Sequence, residues 1–138
     1  MDATEIEAAR AVLRQRRGAE LSAAVASSRA EEDEQECKRA EAAGVDATEI
    51  EAARAELRRR RGAELSAAVA NGSADEIEQA FKRAKAAGVD ATEIEAARAE
   101  LRQRRGAELS AAVANGSADE IEQAFKRAET AGVDATEI

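Results

Sequence analysis

The sequence predicts an all-α protein built from tandem helical repeats. Three observations lead to this fold class. The segment Asp-Ala-Thr-Glu-Ile starts at Asp2, Asp46, Asp90 and Asp134, so the sequence repeats every 44 residues. Proline is absent, and aromatic residues make up only 1% of the chain. Alanine, glutamate and arginine, which all favour helix, account for more than half of the residues.

The repeats divide the chain into four segments. Residues 44–87 and 88–131 differ only where Gln103, Glu129 and Thr130 replace Arg59, Lys85 and Ala86. Natural repeats usually share their packing positions while their surfaces diverge, so this identity favours a designed or consensus-built protein over a recent gene duplication. The predicted segments are an atypical polar N-terminal capping repeat (1–43), repeat 2 (44–87), repeat 3 (88–131) and the truncated start of a fourth repeat (132–138).

Each repeat is predicted to form a long helix followed by a short one. In repeat 2 the long helix covers 46–71 and starts with Asp46-Ala47-Thr48-Glu49, where an acceptor side chain is followed three residues later by Glu. The short helix covers 74–87 and starts in the same way with Ser73-Ala74-Asp75-Glu76. Asn71-Gly72 and Gly88 are expected to adopt left-handed backbone after the two helix ends.

A glycine in the middle of each long helix leaves two interpretations open. A break at Gly62, after the run Arg58 to Arg61, gives three short helices per repeat, as in armadillo-type units. No capping residue follows Gly62, however, so we expect one continuous helix in which the glycine costs about 1 kcal/mol relative to alanine. The same expectation applies to Gly106.

The two halves of each long helix are predicted to bury different faces. Ile50 and Leu57 fall almost on one line along the helix, whereas Leu65 and Val69 are rotated from it by roughly 80 to 120°. On the short helix, apolar residues recur at i, i+3, i+4 and i+7. This pattern predicts chained three-helix bundles, each formed by the second half of a long helix, a short helix and the first half of the next long helix. The predicted core of one bundle comprises Leu65, Val69, Ile77, Phe81, Val89, Ile94 and Leu101.

This connectivity resembles a miniature of spectrin repeats, in which one helix continues from one bundle into the next, although no spectrin sequence motif is present. The stretch "AVANGSADEIEQAFKRAKAAGVDA" (68–91) is also similar to ankyrin helices and their glycine-containing loop, without the ankyrin Thr-Pro-Leu-His signature. The ankyrin resemblance implies the alternative architecture, a side-by-side α-solenoid of helical hairpins.

The first repeat departs from the others along its short helix. Asp33, Glu36 and Cys37 occupy the places of Ile77, Ala80 and Phe81, so we expect that this helix cannot bury its face as its copies do. A solubilising cap, a frayed repeat, and a thiol for attachment or dimer formation are the three interpretations. Residues 27–29 are Ser-Ser-Arg where repeat 2 has Asn-Gly-Ser. Two structures are therefore compatible with the sequence, a turn at these residues and one continuous helix from Ala3 to Ala43.

The repeat pattern also predicts apolar surface at both ends of the chain. The short helix that carries Ile121 and Phe125 lacks most of the helix that would cover it, because the last copy stops at Ile138. The first long helix carries Ile6 and Leu13 without a preceding repeat. A second molecule could fill this gap, so we expect a homo-oligomer, either a dimer or an end-to-end assembly. A boundary chosen within a longer array is the alternative.

Composition argues against catalysis and cofactors. The chain has no His, no Tyr and one Cys, so it lacks side chains that exchange protons near neutral pH. We therefore predict no enzyme activity, no catalytic, cofactor-binding or metal-binding residue, no cofactor and no small-molecule substrate. The acids from Glu31 to Glu34 are interpreted as residues that favour a helix N-terminus.

The charge of the chain bears on its partners. A net charge of -8 argues against binding to nucleic acid or to an anionic membrane, and no signal peptide or membrane span is evident, so a soluble cytoplasmic or recombinant protein is expected. The runs Arg58–Arg61 and Arg102–Arg105 are interpreted as a solvated, salt-bridged face, because Glu56 and Glu78 precede Arg60 and Lys82 by four residues. An anion or nucleic-acid site is the alternative.

These observations predict a structural or scaffold protein. The rival interpretation is a natural protein-interaction repeat domain that binds a partner helix or peptide in an apolar groove.

Overall fold

The computed structural model describes residues 2–26 and 30–134, and the fold in this part is all-α as predicted. Long and short helices alternate along the chain. The chain divides into two compact units, residues 1–61 and 62–138. The described part contains six helices: α1 (Ala3–Ala26), α2 (Ala30–Ala42), α3 (Ala47–Asn71), α4 (Ala74–Ala87), α5 (Ala91–Asn115) and α6 (Ala118–Ala131).

The predicted helix starts are confirmed by their capping bonds. Asp46 precedes α3, and its Oδ1 accepts a hydrogen bond from the backbone N–H of Thr48 at 2.9 Å. Ser73 precedes α4, and its Oγ accepts from the N–H of Glu76 at 3.2 Å. Each bond satisfies one of the N–H groups that the first helical turn leaves without an intrahelical partner.

The two glycines at helix ends act differently. Gly88 follows α4 with φ of 81°, the left-handed conformation that was predicted, and its N–H donates to the carbonyls of Ala84 and Lys85. The same prediction for Gly72 is wrong, because Gly72 is not among the glycines with positive φ. Its N–H lies 2.7 Å from the carbonyl oxygen of Ala68, and an added Cβ would lie only 2.8 Å from that oxygen. Glycine is needed there for close approach.

The glycines within the long helices do not interrupt them. α3 continues through Gly62 and α5 through Gly106, so the continuous helix is confirmed and the armadillo-type break is wrong. A Cβ on Gly62 would lie 3.3 Å from Oε2 of Glu93 and 3.8 Å from Val89. The glycine therefore lets the chain around Val89 pack closely on α3.

The first unit has a small core formed by three helices. Leu21 of α1 packs with Cys37 and Ala40 of α2 and with Ile50 and Ala53 of α3. In one straight helix, residues 21 and 40 would be about 28 Å apart. The alternative of a single helix from Ala3 to Ala43 is therefore wrong. The predicted turn falls on residues 27–29, which lie outside the described residues.

The second unit contains the predicted three-helix core. Leu65 of α3, Ala80 and Ala84 of α4, and Ile94 and Ala97 of α5 form one buried cluster together with Val89. Ile77 and Leu101 form a second cluster with Ala74. Val69 and Phe81 are only partly buried. All seven predicted core residues therefore contribute, and alanines fill much of the remaining interior.

α5 buries different faces in its two halves, as predicted. Ile94 and Leu101 in the first half pack in the clusters that α4 contributes to. Leu109 in the second half packs with Ala124 and Ala128 of α6 and with Val133. The change of face between Leu101 and Leu109 follows from helix geometry, since eight residues rotate the side chain by about 80°.

Replacement of the interior glycines tests this packing. We expect Gly106→Ala to raise the free energy of unfolding by about 1 kcal/mol, because no described atom lies within 4 Å of the added Cβ. Gly62→Ala is expected to raise the free energy of unfolding by less, because its Cβ would crowd the Glu93 side chain. Urea unfolding followed by circular dichroism measures both, and an equal gain at the two sites would contradict the close approach at Gly62.

Candidate functional site

Arg105 lies at the point where α5 changes its buried face, and it joins three acidic side chains. Only 3% of Arg105 is exposed. Its guanidinium donates to Oδ1 of Asp75 at 2.8 Å, to Oε2 of Glu78 at 3.0 Å and to Oε2 of Glu108 at 2.9 Å. The hydrogen bond and charge of Arg105 lower the pKa of Asp75. Arg105 therefore links α5 to the first turn of α4 by charge-assisted bonds.

Arg104 binds the C-terminal end of α3. Its Nη2 donates to the carbonyl oxygen of Val69 at 2.7 Å, and its Nη1 donates to that of Gly72. Glu100, one turn earlier in α5, accepts from Nε at 3.0 Å. The last carbonyls of a helix have no intrahelical donor and carry a partial negative charge, so a guanidinium there is favourable.

The first unit contains the same arginine pair. Arg61, the counterpart of Arg105, is 3% exposed and lies 3.8 Å from Glu31 and 3.5 Å from Glu34. Arg60, the counterpart of Arg104, donates to the carbonyl oxygen of Val25 near the end of α1. We call this arrangement the arginine clamp: the first arginine binds the end of a long helix, and the second binds the acids at the start of the next short helix.

These contacts correct the interpretation of the arginine runs as a solvated face. Arg59 does lie on that face, with 67% of its side chain exposed and a bond to Glu56 only within α3. The predicted pair of Glu56 with Arg60 is also present, at 3.1 Å. Arg61 and Arg105, however, are buried between helices. The signal that could have shown this is the acid pair three residues apart, which recurs at 31/34 and 75/78 although Asp33 lies within the first pair and Ile77 within the second.

The short helix of the first repeat buries its face, contrary to the prediction. Asp33 is 0% exposed and Cys37 is 4% exposed. Asp33 occupies the place of Ile77 and remains buried because Nη1 of Arg60 donates to its Oδ2. The sequence comparison identified the polar substitution but missed the arginine, 27 residues away, that compensates for it.

Within the described residues, only one oxygen of Asp33 is paired, since its Oδ1 has no hydrogen-bond partner there. Desolvation by burial raises the pKa of Asp33 above its ordinary value of 3.8, although Arg60 opposes this shift. A buried carboxylate with one unsatisfied oxygen destabilises the fold relative to an apolar side chain of similar size. Burial also raises the pKa of the Cys37 thiol, which disfavours the reactive thiolate.

Apolar side chains are exposed on two faces, one in the first repeat and one in repeat 3. Ile6 and Leu13 of α1 are 38% and 46% exposed, and we call this the head face. Their counterparts in α3 and α5 are only 7–8% exposed: Ile50, Leu57, Ile94 and Leu101.

The second open face lies on α5 and α6. Val113 is 62% exposed and Phe125 is 39% exposed, and we call this the tail face. Their counterparts Val69 and Phe81 are partly buried against the core of the second unit. The guanidinium of Arg98 lies 5.4 Å from the ring centroid of Phe81, a cation–π contact.

Two features of the described residues bear on the binding of a metal ion or a ligand, clusters of ligating side chains and surface grooves. No group of three His, Cys, Asp or Glu side chains within them could hold a metal ion. Asp33, whose pKa is raised, is inaccessible to a substrate. An open groove beside the end of α3 and the start of α4 is lined by three alanines and a glycine together with polar and charged side chains, among them Asn71, Gln79 and Arg83. The chemistry present is the pairing of helices by apolar faces and ion pairs.

Comparisons with known proteins give no relative. No protein-family model matches the chain, and no curated protein and no solved structure matches it. None of the helices within 2–26 and 30–134 combines the length and apolar content that crossing a bilayer requires.

Substitutions at Asp33 and Arg60 test the buried pair. Asp33→Ile copies the second repeat and is expected to stabilise the protein by about 1–3 kcal/mol, because it removes an incompletely paired buried carboxylate while Arg60 keeps Glu56 and the carbonyl oxygen of Val25 as acceptors. Arg60→Ala is expected to cost about 3–5 kcal/mol, because it leaves the Asp33 carboxylate buried without a countercharge. Denaturant unfolding at pH 7 measures both, and destabilisation by Asp33→Ile would contradict the assignment.

The same pair predicts a pH dependence. The folded pKa of Asp33 is raised, so the folded state binds more protons than the unfolded state between 3.8 and the folded pKa. The stabilising contribution of protonated Asp33 is present below 3.8 and is lost as pH rises through the folded pKa. The advantage of Asp33→Ile over the wild type should therefore be larger at pH 7 than at pH 4. An advantage that grows on acidification would contradict the raised pKa.

The burial of Cys37 predicts slow thiol modification. We expect the native protein to react with a thiol-specific disulfide reagent at least tenfold more slowly than the protein in 6 M guanidinium chloride, because the thiolate is disfavoured and sterically shielded. Absorbance of the released chromophore measures the rate. Equal native and denatured rates would show that α2 opens readily.

Proposed function

We propose that this chain is a non-catalytic structural repeat protein whose copies join end to end through the head face of one molecule and the tail face of the next. The single observation that carries the proposal is the exposure of Ile6 and Leu13, at 38% and 46%, beside 7–8% for the same side chains in the later repeats. The counterparts of Ile6 and Leu13 in the later repeats are also isoleucine and leucine. The head face therefore has the same chemistry as faces that the protein buries elsewhere.

The second unit supplies the template for the joint. There, Ile94 and Leu101 at the start of α5 pack with residues at the end of α3 and in α4. The tail face presents the same residue types, since α5 ends as α3 does and α6 repeats α4. The start of α1 from a second copy can therefore occupy, on the tail face, the place that the start of α5 occupies in the second unit.

The expected affinity is low. Ile6, Leu13, Val113 and Phe125 are each about half exposed, so their burial contributes roughly 1 kcal/mol per side chain, or about 4 kcal/mol together. Association costs at least about 4 kcal/mol, and the alanines of both faces add little area. The apolar burial therefore roughly cancels the cost of association, and a dissociation constant between about 1 μM and 1 mM requires about 4 to 8 kcal/mol from the polar contacts beside the two faces.

The extent of sequence identity supports a constructed origin. Three differences separate residues 44–87 from 88–131, and the exposed positions are copied together with the buried ones. Surfaces under no common constraint diverge. We infer that the chain was built from one consensus unit as a scaffold, and this origin explains why a head and a tail of matching chemistry occur in one molecule.

A partner helix from another protein is the second occupant to consider for these faces. No feature of either face favours such a partner, because each of the four exposed residues has a counterpart that packs against an adjacent repeat of this chain. Self-association is therefore the proposal that accounts for both faces at once.

Mass as a function of concentration tests the proposal. We expect sedimentation equilibrium to give an average mass above the 14.6 kDa of the monomer as the concentration rises from about 10 μM to about 1 mM. Leu13→Glu should remain at the monomer mass, because it places a charge in the head face.

A matched control is available one residue away. Val12→Glu introduces the same charge at a position where repeats 2 and 3 already have Glu56 and Glu100, so it should associate like the wild type. A wild-type mass that stays at the monomer value over the whole range would refute the proposal, as would an equal loss of association in both variants.

A further inference from the structure

Charged groups beside the head and tail faces match the arginine clamp that the chain forms twice internally. In the second unit, Arg105 binds Asp75 and Glu78 at 2.8 and 3.0 Å. In the first unit, Arg61 lies 3.8 and 3.5 Å from Glu31 and Glu34. The acids are three residues apart at the start of a short helix in both cases, so they lie on one side of that helix.

Beside the head face, the arginines of the clamp are present and their partners across helices are not. Arg17 is the counterpart of Arg61 and Arg105, but 32% of its side chain is exposed, whereas those two are 3% exposed. It bonds to Glu20 at 2.7 Å within α1, as Arg105 bonds to Glu108. Within the described residues, this intrahelical bond is its only ion pair. Arg16, the counterpart of Arg104, is exposed.

Beside the tail face, the acceptors of the clamp are present and the arginines are not. Asp119 and Glu122 are the counterparts of Asp75 and Glu78, and both are exposed. Glu122 lies 3.5 Å from Lys126 of its own helix, and neither acid pairs with an arginine in the part of the chain that the structure describes. The carbonyls of Val113 and Gly116 correspond to those of Val69 and Gly72, which Arg104 binds.

We propose that Arg16 and Arg17 of one copy form an intermolecular arginine clamp with the next copy, in which Arg17 binds Asp119 and Glu122 and Arg16 binds the carbonyls of Val113 and Gly116. This inference rests on the proposed end-to-end association and adds the groups that determine its direction and register. The partner is a second copy of this chain, and the recognised groups are two carboxylates and the C-terminal end of a helix.

Charge determines which ends join. A head face against a head face brings two arginine pairs together, and a tail face against a tail face brings two acid pairs together. Both arrangements are repulsive, whereas head to tail places guanidinium groups on carboxylates. The clamp therefore favours a heterologous contact over a two-fold symmetric dimer, which the apolar faces by themselves would not do.

Two variants of equal net charge test the clamp. Arg17→Gln and Gln15→Glu each make the chain more negative by one unit. Arg17→Gln is expected to weaken association roughly ten- to a hundredfold, because charged hydrogen bonds across the joint are lost. Gln15→Glu should leave association unchanged, because its counterpart Arg59 is 67% exposed and bonds only within its own helix.

Sedimentation equilibrium in about 50 and 500 mM NaCl is the measurement. Wild-type association should weaken at the higher salt concentration, and that of Arg17→Gln should depend less on salt. If the wild type associates and Arg17→Gln associates equally strongly, the clamp is overturned and the end-to-end proposal remains intact. Equal weakening by both variants would also overturn it, because net charge would then be sufficient. A monomeric wild type would overturn both proposals.

Mixing two variants tests the direction of the joint. Arg17→Gln keeps an intact tail face, and the double variant Asp119→Asn, Glu122→Gln keeps an intact head face. Each variant alone should associate weakly, and an equimolar mixture should form a 1:1 complex with wild-type affinity. No gain on mixing would overturn the clamp. Unchanged helicity and melting temperature are expected for each variant, since none of the three side chains bonds to another helix within the described residues.

Discussion

The second unit depends on the change of buried face halfway along α5. In α5, Ile94 and Leu101 pack toward one short helix and Leu109 packs toward the next. The rotation of 100° per residue makes this change possible without a break, and the continuous backbone at Gly106 preserves it. Each short helix can therefore pack against two long helices. The first half of α1, which carries Ile6 and Leu13, is not covered by another helix within the described residues.

Ion pairs take a large part in packing because the apolar side chains are small. Alanine fills much of the interior, and its burial removes little area from water. The arginine clamp compensates at the point where the face changes: its aliphatic stems cover apolar surface while its guanidinium groups satisfy carbonyls and acids. At Asp33, where a carboxylate replaces isoleucine, one oxygen accepts from Arg60 and the other has no donor within the described residues.

Repetition of the sequence gives the head face and the tail face complementary chemistry. In repeat proteins each unit is stabilised by its neighbours, and the two faces carry the residue types that Ile94, Leu101, Val69 and Phe81 bring to the core of the second unit. In the proposed assembly, apolar area supplies the tendency to associate, and the arginines beside the head face and the acids beside the tail face supply the direction.

The sequence by itself determined the helices, most of their boundaries and their faces. Capping residues such as Asp46 and Ser73 act through bonds to residues two or three positions away, and apolar periodicity is a local property of each helix, so both are readable from one segment. The tertiary structure decided the partners of Arg60, Arg61 and Asp33, and it showed Gly72 to serve close approach. The contacts of the two arginines and Asp33 join residues about 30 positions apart, and they exist only after folding has brought separate helices together. Local sequence shows that a charge is present, but the burial of that charge and its countercharge depend on packing.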